Sequence, residues 1–172
     1  MPSVTQILDQ FSDYSMVPPH ILERKRQIGT AVHAAIDLDL KGELDEETIH
    51  SAWGGYFDGW RKFQKESGFI VESSEQRIYS EKYRYAGTLD LVGTLSSGPA
   101  LIDTKTTAVL MPSVGPQTAA YAEGIGKPRI KRYALQLTPD GKYSLEPCNG
   151  KNDWAVFQAA LTLFNWRKSW KQ

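Results

Sequence analysis

Gly87-Thr88-Leu89-Asp90-Leu91-Val92, followed by Leu101-Ile102-Asp103-Thr104-Lys105-Thr106, is the stretch from which the rest of the chain can be read. Both runs are short, apolar and bounded by turn residues, which predicts strands. Ser96-Ser97-Gly98-Pro99 between them is a turn, so the two strands are expected to form a hairpin. Side chains alternate along a strand, which puts Asp103 and Lys105 on one face and Ile102 and Thr104 on the other. Asp90 faces away from Leu89 and Leu91. Paired, the strands bring two carboxylates and one ammonium together on an apolar sheet, where unpaired charge is costly. A divalent cation such as Mg²⁺ removes that cost, because it takes carboxylate oxygens, backbone carbonyls and water. A lysine beside such a pair can orient an attacking water or neutralise charge on a phosphate. Two readings are open at this point: an ordinary Asp103–Lys105 ion pair on a strand face, or a metal-dependent hydrolytic site.

Working outward, Ile28, Val32, Ile36 and Leu40 recur every fourth residue, predicting a helix from about Ile21 to Gly42 behind Pro18-Pro19. Asp45 with Glu46 and Glu47 reads as the N-cap and acidic first turn of a second helix ending at Gly68. Its buried face would be Ile49, Trp53, Tyr56, Trp60 and Phe63. Strands are predicted over 69–79, 83–95 and 99–105, then a short helix from Pro116 through Tyr121 to Gly124 or Gly126. Ile130–Leu137 and Tyr143–Leu145 flank the turn Pro139-Asp140-Gly141. A last helix begins near Asn152 or Asp153 and buries Phe157, Leu161 and Phe164. The order α-α-β-β-β-α-β-β-α makes an α+β fold with a largely hairpin-built sheet. No repeat or linker interrupts it, so residues 1–172 are expected to form a single domain.

The composition is that of a globular protein: 172 residues, 41% hydrophobic and 23% charged. No apolar run approaches the ~18 residues a membrane span needs, and Met1-Pro2-Ser3-Val4-Thr5 is not a secretory signal. A single cysteine, Cys148, makes neither an internal disulfide nor a cysteine cage for zinc or an iron–sulfur cluster. The expectation is a cytoplasmic protein without a membrane partner. Twenty basic residues balance twenty acidic ones, but unevenly. Residues 1–126 hold 11 basic and 17 acidic side chains, a net of −6, and residues 127–172 hold 9 and 3, a net of +6. A basic segment beside an acidic site suits a polyanion; a solvated basic face is the plainer account.

Three further features bear on the site. His33 closes Gly29-Thr30-Ala31-Val32-His33 near the buried face of the first predicted helix, as a core histidine or a ligand. Gln117-Thr118-Ala119-Ala120-Tyr121 places Gln117 and Tyr121 on one helix face, to meet a phosphate or simply to pack on the sheet. Glu75, on the strand before Asp90, is a third acid; Glu72 and Glu81 nearby are expected to be solvated.

Taken in order, GTAVH, an upstream acid, GTLD, DTK and QTAAY resemble the PD-(D/E)XK nuclease superfamily. Within it the chain is most similar to RecB-type nuclease domains and phage-type exonucleases. Ser3-Val4-Thr5-Gln6-Ile7-Leu8 also resembles the start of small phage-encoded and mitochondrial genome-maintenance members. The resemblance runs from Ser3 to about Tyr121. It implies a restriction-endonuclease-like α/β/α core, a mixed central sheet flanked by helices. It further implies that Asp90, Asp103 and the Thr104 carbonyl bind Mg²⁺ or Mn²⁺ with His33 as an extra ligand. Lys105 would position or activate the attacking water and Glu75 would be an auxiliary catalytic acid. Gln117 and Tyr121 would contact the DNA backbone.

The implied activity is a DNA exonuclease of phage or bacterial recombination, repair or processing. DNA is the implied partner, together with a single-strand annealing or other recombination protein. An endonuclease of the same fold and a non-catalytic DNA-binding accessory protein are the alternatives. A hydrolase using Asp90 and Asp103 as an acid–base pair would leave Lys105 and His33 without a role. One cysteine excludes the iron–sulfur variant. Gly124-Ile125-Gly126-Lys127 lacks the reach and the following Ser/Thr of a phosphate-binding loop, so no ATP is expected. Lys127, Arg129, Lys131 and Arg132, with Arg167, Lys168 and Lys171, are candidates for phosphate contact, and Trp166 and Trp170 for stacking on bases.

Overall fold

A computed structural model describes residues 1–170. Its α-helices and strands are, in chain order, α1 (Val4–Asp9), α2 (Pro19–Lys41), α3 (Ser51–Ser67), β1 (Ile70–Ser80), β2 (Tyr85–Leu95), β3 (Gly98–Lys105), α4 (Val114–Gly124), β4 (Lys131–Leu137), β5 (Tyr143–Pro147) and α5 (Asp153–Ser169). The fold is α+β, built on one mixed five-stranded sheet in the order β1-β2-β3-β4-β5. Neighbouring strands are antiparallel except β3 and β4, which run parallel and are joined through α4.

Helices cover both faces of the sheet. On one, Val32 and Ile36 of α2 and Phe57, Trp60 and Phe63 of α3 pack on Leu91, Ile102, Leu135 and Leu137. On the other, Val4 and Ile7 of α1, Ala120 and Tyr121 of α4, and Phe157 and Leu161 of α5 pack with Tyr85, Val92 and Leu101. The β2–β3 register Leu91↔Ile102 and Val92↔Leu101 sends alternate pairs to opposite cores. The hairpin predicted from alternation is therefore present. Left-handed Gly42 and Gly68 end α2 and α3 as expected, a backbone conformation that favours glycine.

Three expectations change. Residues 4–9, given no element above, form α1, which Ser3 and Gln6 start with a reciprocal capping box. Asp45 caps only a 3₁₀ turn, Glu46–Thr48; α3 begins at Ser51, with the His50 ring accepting from the Ala52 amide. Phe164 is only partly buried against the α5 core. Among the described residues no helix is long and apolar enough to cross a membrane.

Candidate metal centre

Asp90 lies in β2 between the cross-strand pairs Ser74↔Leu91 and Gln76↔Leu89, so Glu75 of β1 stands opposite it. Two carboxylates facing each other across strands repel. Glu75 also has φ 47°, a left-handed conformation rare for a residue with a side chain, and such strain concentrates at functional positions. His33, half-way along α2, relieves the repulsion. Its Nδ1 lies 3.4 Å from Glu75 Oε1 and 3.5 Å from Asp90 Oδ1, and its Nε2 is 3.2 Å from the Thr104 carbonyl oxygen. One turn further on, Asp37 accepts a 2.6 Å hydrogen bond from Ser74 Oγ and pairs with Lys41, tying α2 to β1 beside Glu75.

Asp90 Oδ2 accepts from the Thr104 amide at 2.6 Å, which locks this carboxylate onto β3. Asp103, only 1% exposed, turns the other way. Its Oδ1 accepts from Gln117 Nε2 at 3.0 Å. Its Oδ2 lies 2.8 Å from Lys105 Nζ, an ionic contact too poorly directed to count as a hydrogen bond, so this buried oxygen has no directed donor. Gln117 completes a bridge: its Oε1 accepts from Lys105 Nζ at 3.2 Å, and its Nε2 also donates to the Tyr121 hydroxyl at 3.0 Å.

These contacts set the charges. Burial opposes protonation of His33, but Asp90, then Glu75 and Asp103, hold its pKa well above the ordinary imidazole value. Burial likewise opposes ionisation of Asp90, and His33 outweighs it, leaving that carboxyl below its usual range. For Asp103 burial wins. Its carboxyl is pushed up, with Asp90 adding to the shift and Lys105 opposing it. Lys105 is held above its ordinary value because Asp103 and Asp90 overcome its own burial.

His33, Glu75 and Asp90 each offer a ligand atom, and these atoms lie within 4.8 Å of one another. A nitrogen and hard carboxylate oxygens suit a divalent cation. The residues present therefore fit a metal ion. The group holds His33 and Asp90, as expected of the ligands, together with Glu75; the oxygens of Asp103, also expected to bind the ion, face Gln117 and Lys105. A cavity of about 490 Å³ opens onto Asp90, Asp103, Lys105 and Gln117, and its wall includes Arg77 and Tyr79 of β1. A second, of about 550 Å³, reaches Glu75 and His33 from the side of Thr30 and Asp37.

Gln117 and Tyr121, 8% and 3% exposed, line the same cavity, and their polar groups bond Asp103, Lys105 and each other. Other candidates stand apart from this centre, Arg132 among them, its side chain 12% exposed. It pairs with Asp153 at 2.9 Å and donates to the Gly115 carbonyl at 2.9 Å, joining β4 to the starts of α4 and α5. Lys127, Arg129 and Lys131 are exposed, but parallel pairing sets Lys131 beside Ala100, at the start of β3. At the strand rise of roughly 3.3 Å per residue, that is about 17 Å from Lys105. Trp166 and Trp170 are exposed with ring centroids 4.2 Å apart, beside exposed Arg167 and Lys168; Lys171 lies outside the described residues. Arg77 and Tyr79 went unnoticed in the sequence, although their two-residue spacing from Glu75 is the signal that would have found them.

No family model and no curated protein matches the chain. Among solved structures, the crystal structure of SSO0001 is similar at 15% identity with a TM-score of 0.38. The match covers 61% of this chain and 52% of that one, so the chain spans about half of that protein.

Proposed function

We propose that this chain is a Mg²⁺- or Mn²⁺-dependent DNA nuclease, an exonuclease in kind, hydrolysing phosphodiester bonds on a restriction-endonuclease-like core. The observation that carries this reading is the His33–Glu75–Asp90 ligand group, two of whose members, His33 and Asp90, share an open cavity with the Asp103–Lys105 pair. His33, Glu75 and Asp90 would hold the ion, with Asp103 and the Thr104 carbonyl adjoining. Bound there, it would lower the pKa of a water and polarise the phosphoryl oxygen.

The chain's own groups do the rest. His33 would hold such an ion only as the neutral ring, and so would release its proton on binding it. Lys105 keeps its proton, and so serves as a fixed positive charge facing the scissile phosphate rather than as a base. Gln117 holds Asp103 and Lys105 in one orientation from a helix rather than a loop, and Tyr121 backs Gln117.

The test uses 5′- and 3′-end-labelled linear DNA and a closed circle, with Mg²⁺, Mn²⁺ or EDTA. Expected are shortening of the linear strands in either metal, none in EDTA, an intact circle, and a loss of about 100-fold or more in Lys105→Ala. Cleavage that survives EDTA, or a Lys105→Ala variant as fast as the parent, would overturn the reading. A nicked circle would convert exonuclease to endonuclease.

A further inference from the structure

The cavity over the metal centre has a cationic and aromatic lip that the chemistry just described does not use. Arg77 and Tyr79 alternate with the buried Ile78 on β1, so they share one face of the strand, roughly 7 Å apart. Both line the same cavity as Asp90, Asp103 and Lys105. Lys105 is occupied by Asp103 and His33 by Glu75 and Asp90, whereas among the described residues no carboxylate comes within ion-pair distance of Arg77. Arg77 is thus the one cation of the cavity wall not engaged with an acid. Tyr79 is 63% exposed and packs against no other aromatic ring among the described residues, unlike Tyr83 and Tyr85, which stack into the core with Trp154 and Phe157. An exposed flat ring beside a free guanidinium, both facing a cavity that ends in an anion-handling site, is the pairing that single strands use: bases stack and phosphates pair.

We propose that Arg77 and Tyr79 bind one unpaired nucleotide next to the metal centre, Tyr79 stacking on its base and Arg77 pairing with its phosphate. The strand entering the site is therefore single-stranded there. A ring stacks only on an uncovered base face; a single strand offers one at every base, whereas a duplex offers one only at its terminal pair. This inference rests on the nuclease reading and adds to it the form of the substrate.

Binding is measured in EDTA, where nothing is cut, by fluorescence anisotropy of the full chain with a labelled mixed-sequence oligonucleotide, single-stranded or as a blunt duplex. Tyr79→Ala is expected to weaken single-strand binding by roughly tenfold, the size of one lost base stack, while Tyr79→Phe binds like the parent. Arg77→Ala should weaken binding and lower the slope of log K against log salt by about one. The parent should prefer the single strand. Equal affinity of Tyr79→Ala and the parent for the single strand overturns the proposal, as does a stronger hold on the duplex. Because no cleavage is scored, failure of the nuclease reading appears separately, as absence of metal-dependent cutting by the parent. A circular dichroism melt of each variant, matching the parent, shows that the losses come from binding and not from misfolding.

Discussion

Replacing Asp103 by Asn should make the metal-free protein more stable at neutral pH while removing its proposed activity. Asp103 is 1% exposed, its Oδ2 lacks a directed donor, and burial pushes its pKa up to about 6 from 3.8. A shift of about two units, at about 1.36 kcal/mol per unit, sets an upper bound near 3 kcal/mol for the cost of keeping that carboxylate charged. That bound is already net of the 2.8 Å contact with Lys105, and turning the Asn amide to suit Gln117 and Lys105 costs part of it, so a net gain of about 1–2 kcal/mol is expected. The sign follows from the direction of the shift. A carboxyl with a raised folded-state pKa contributes stability that is fully present below the unfolded value of 3.8 and is lost as pH rises through about 6. The difference between variant and parent should therefore be small near pH 4 and largest above about pH 7. Urea denaturation of both proteins in EDTA across that range measures it. An Asn variant less stable than the parent at neutral pH, or a difference independent of pH, would refute the reasoning. Adding Mg²⁺ at about ten times its Kd should return about 1.4 kcal/mol to the parent and less to the variant.

Arg132→Met should cost about 3–5 kcal/mol, because Asp153 is left charged and only 16% exposed; Arg132→Met with Asp153→Leu should recover most of the loss in the same denaturation assay. Gly93→Ala should cost about 3 kcal/mol or more, since the new methyl would meet the Ile70 carbonyl and lie 2.8 Å from the Phe69 ring; a melting temperature equal to the parent's would contradict that packing. Tyr85→Phe should cost about 1 kcal/mol through loss of the buried 2.8 Å hydrogen bond to the Ala120 carbonyl, without altering DNA binding.

The separation of roles between the two aspartates follows from their neighbours. Asp90 is answered by a histidine and a backbone amide, and so stays ionised even when buried. Asp103 is answered by one lysine and one amide side chain, which is not enough to offset its burial.

What the sequence determined by itself was local. Alternation along two short apolar strands joined by a turn was enough to place Asp90, Asp103 and Lys105 on one hairpin, and i, i+4 spacing with glycine caps to outline α2 and the end of α3. The capping box at Ser3 was present in the sequence too, although α1 is too short to announce itself by periodicity. What tertiary structure decided were the partners. Glu75 joins the centre because β1 and β2 pair in the register that sets it opposite Asp90, and pairing across 15 residues leaves no mark in either strand alone. Gln117 meets Asp103 and Lys105, with Tyr121 behind it, because α4 crosses over β3, and spacing within the helix shows only that the two share a face. The charges of 127–132 belong to one run in the sequence, yet parallel pairing of β4 with β3 sets Lys131 at the far end of the sheet and sends Arg132 in to Asp153. Sequence spacing fixes which face a side chain takes within its own element; only packing between elements determines which charge it meets there.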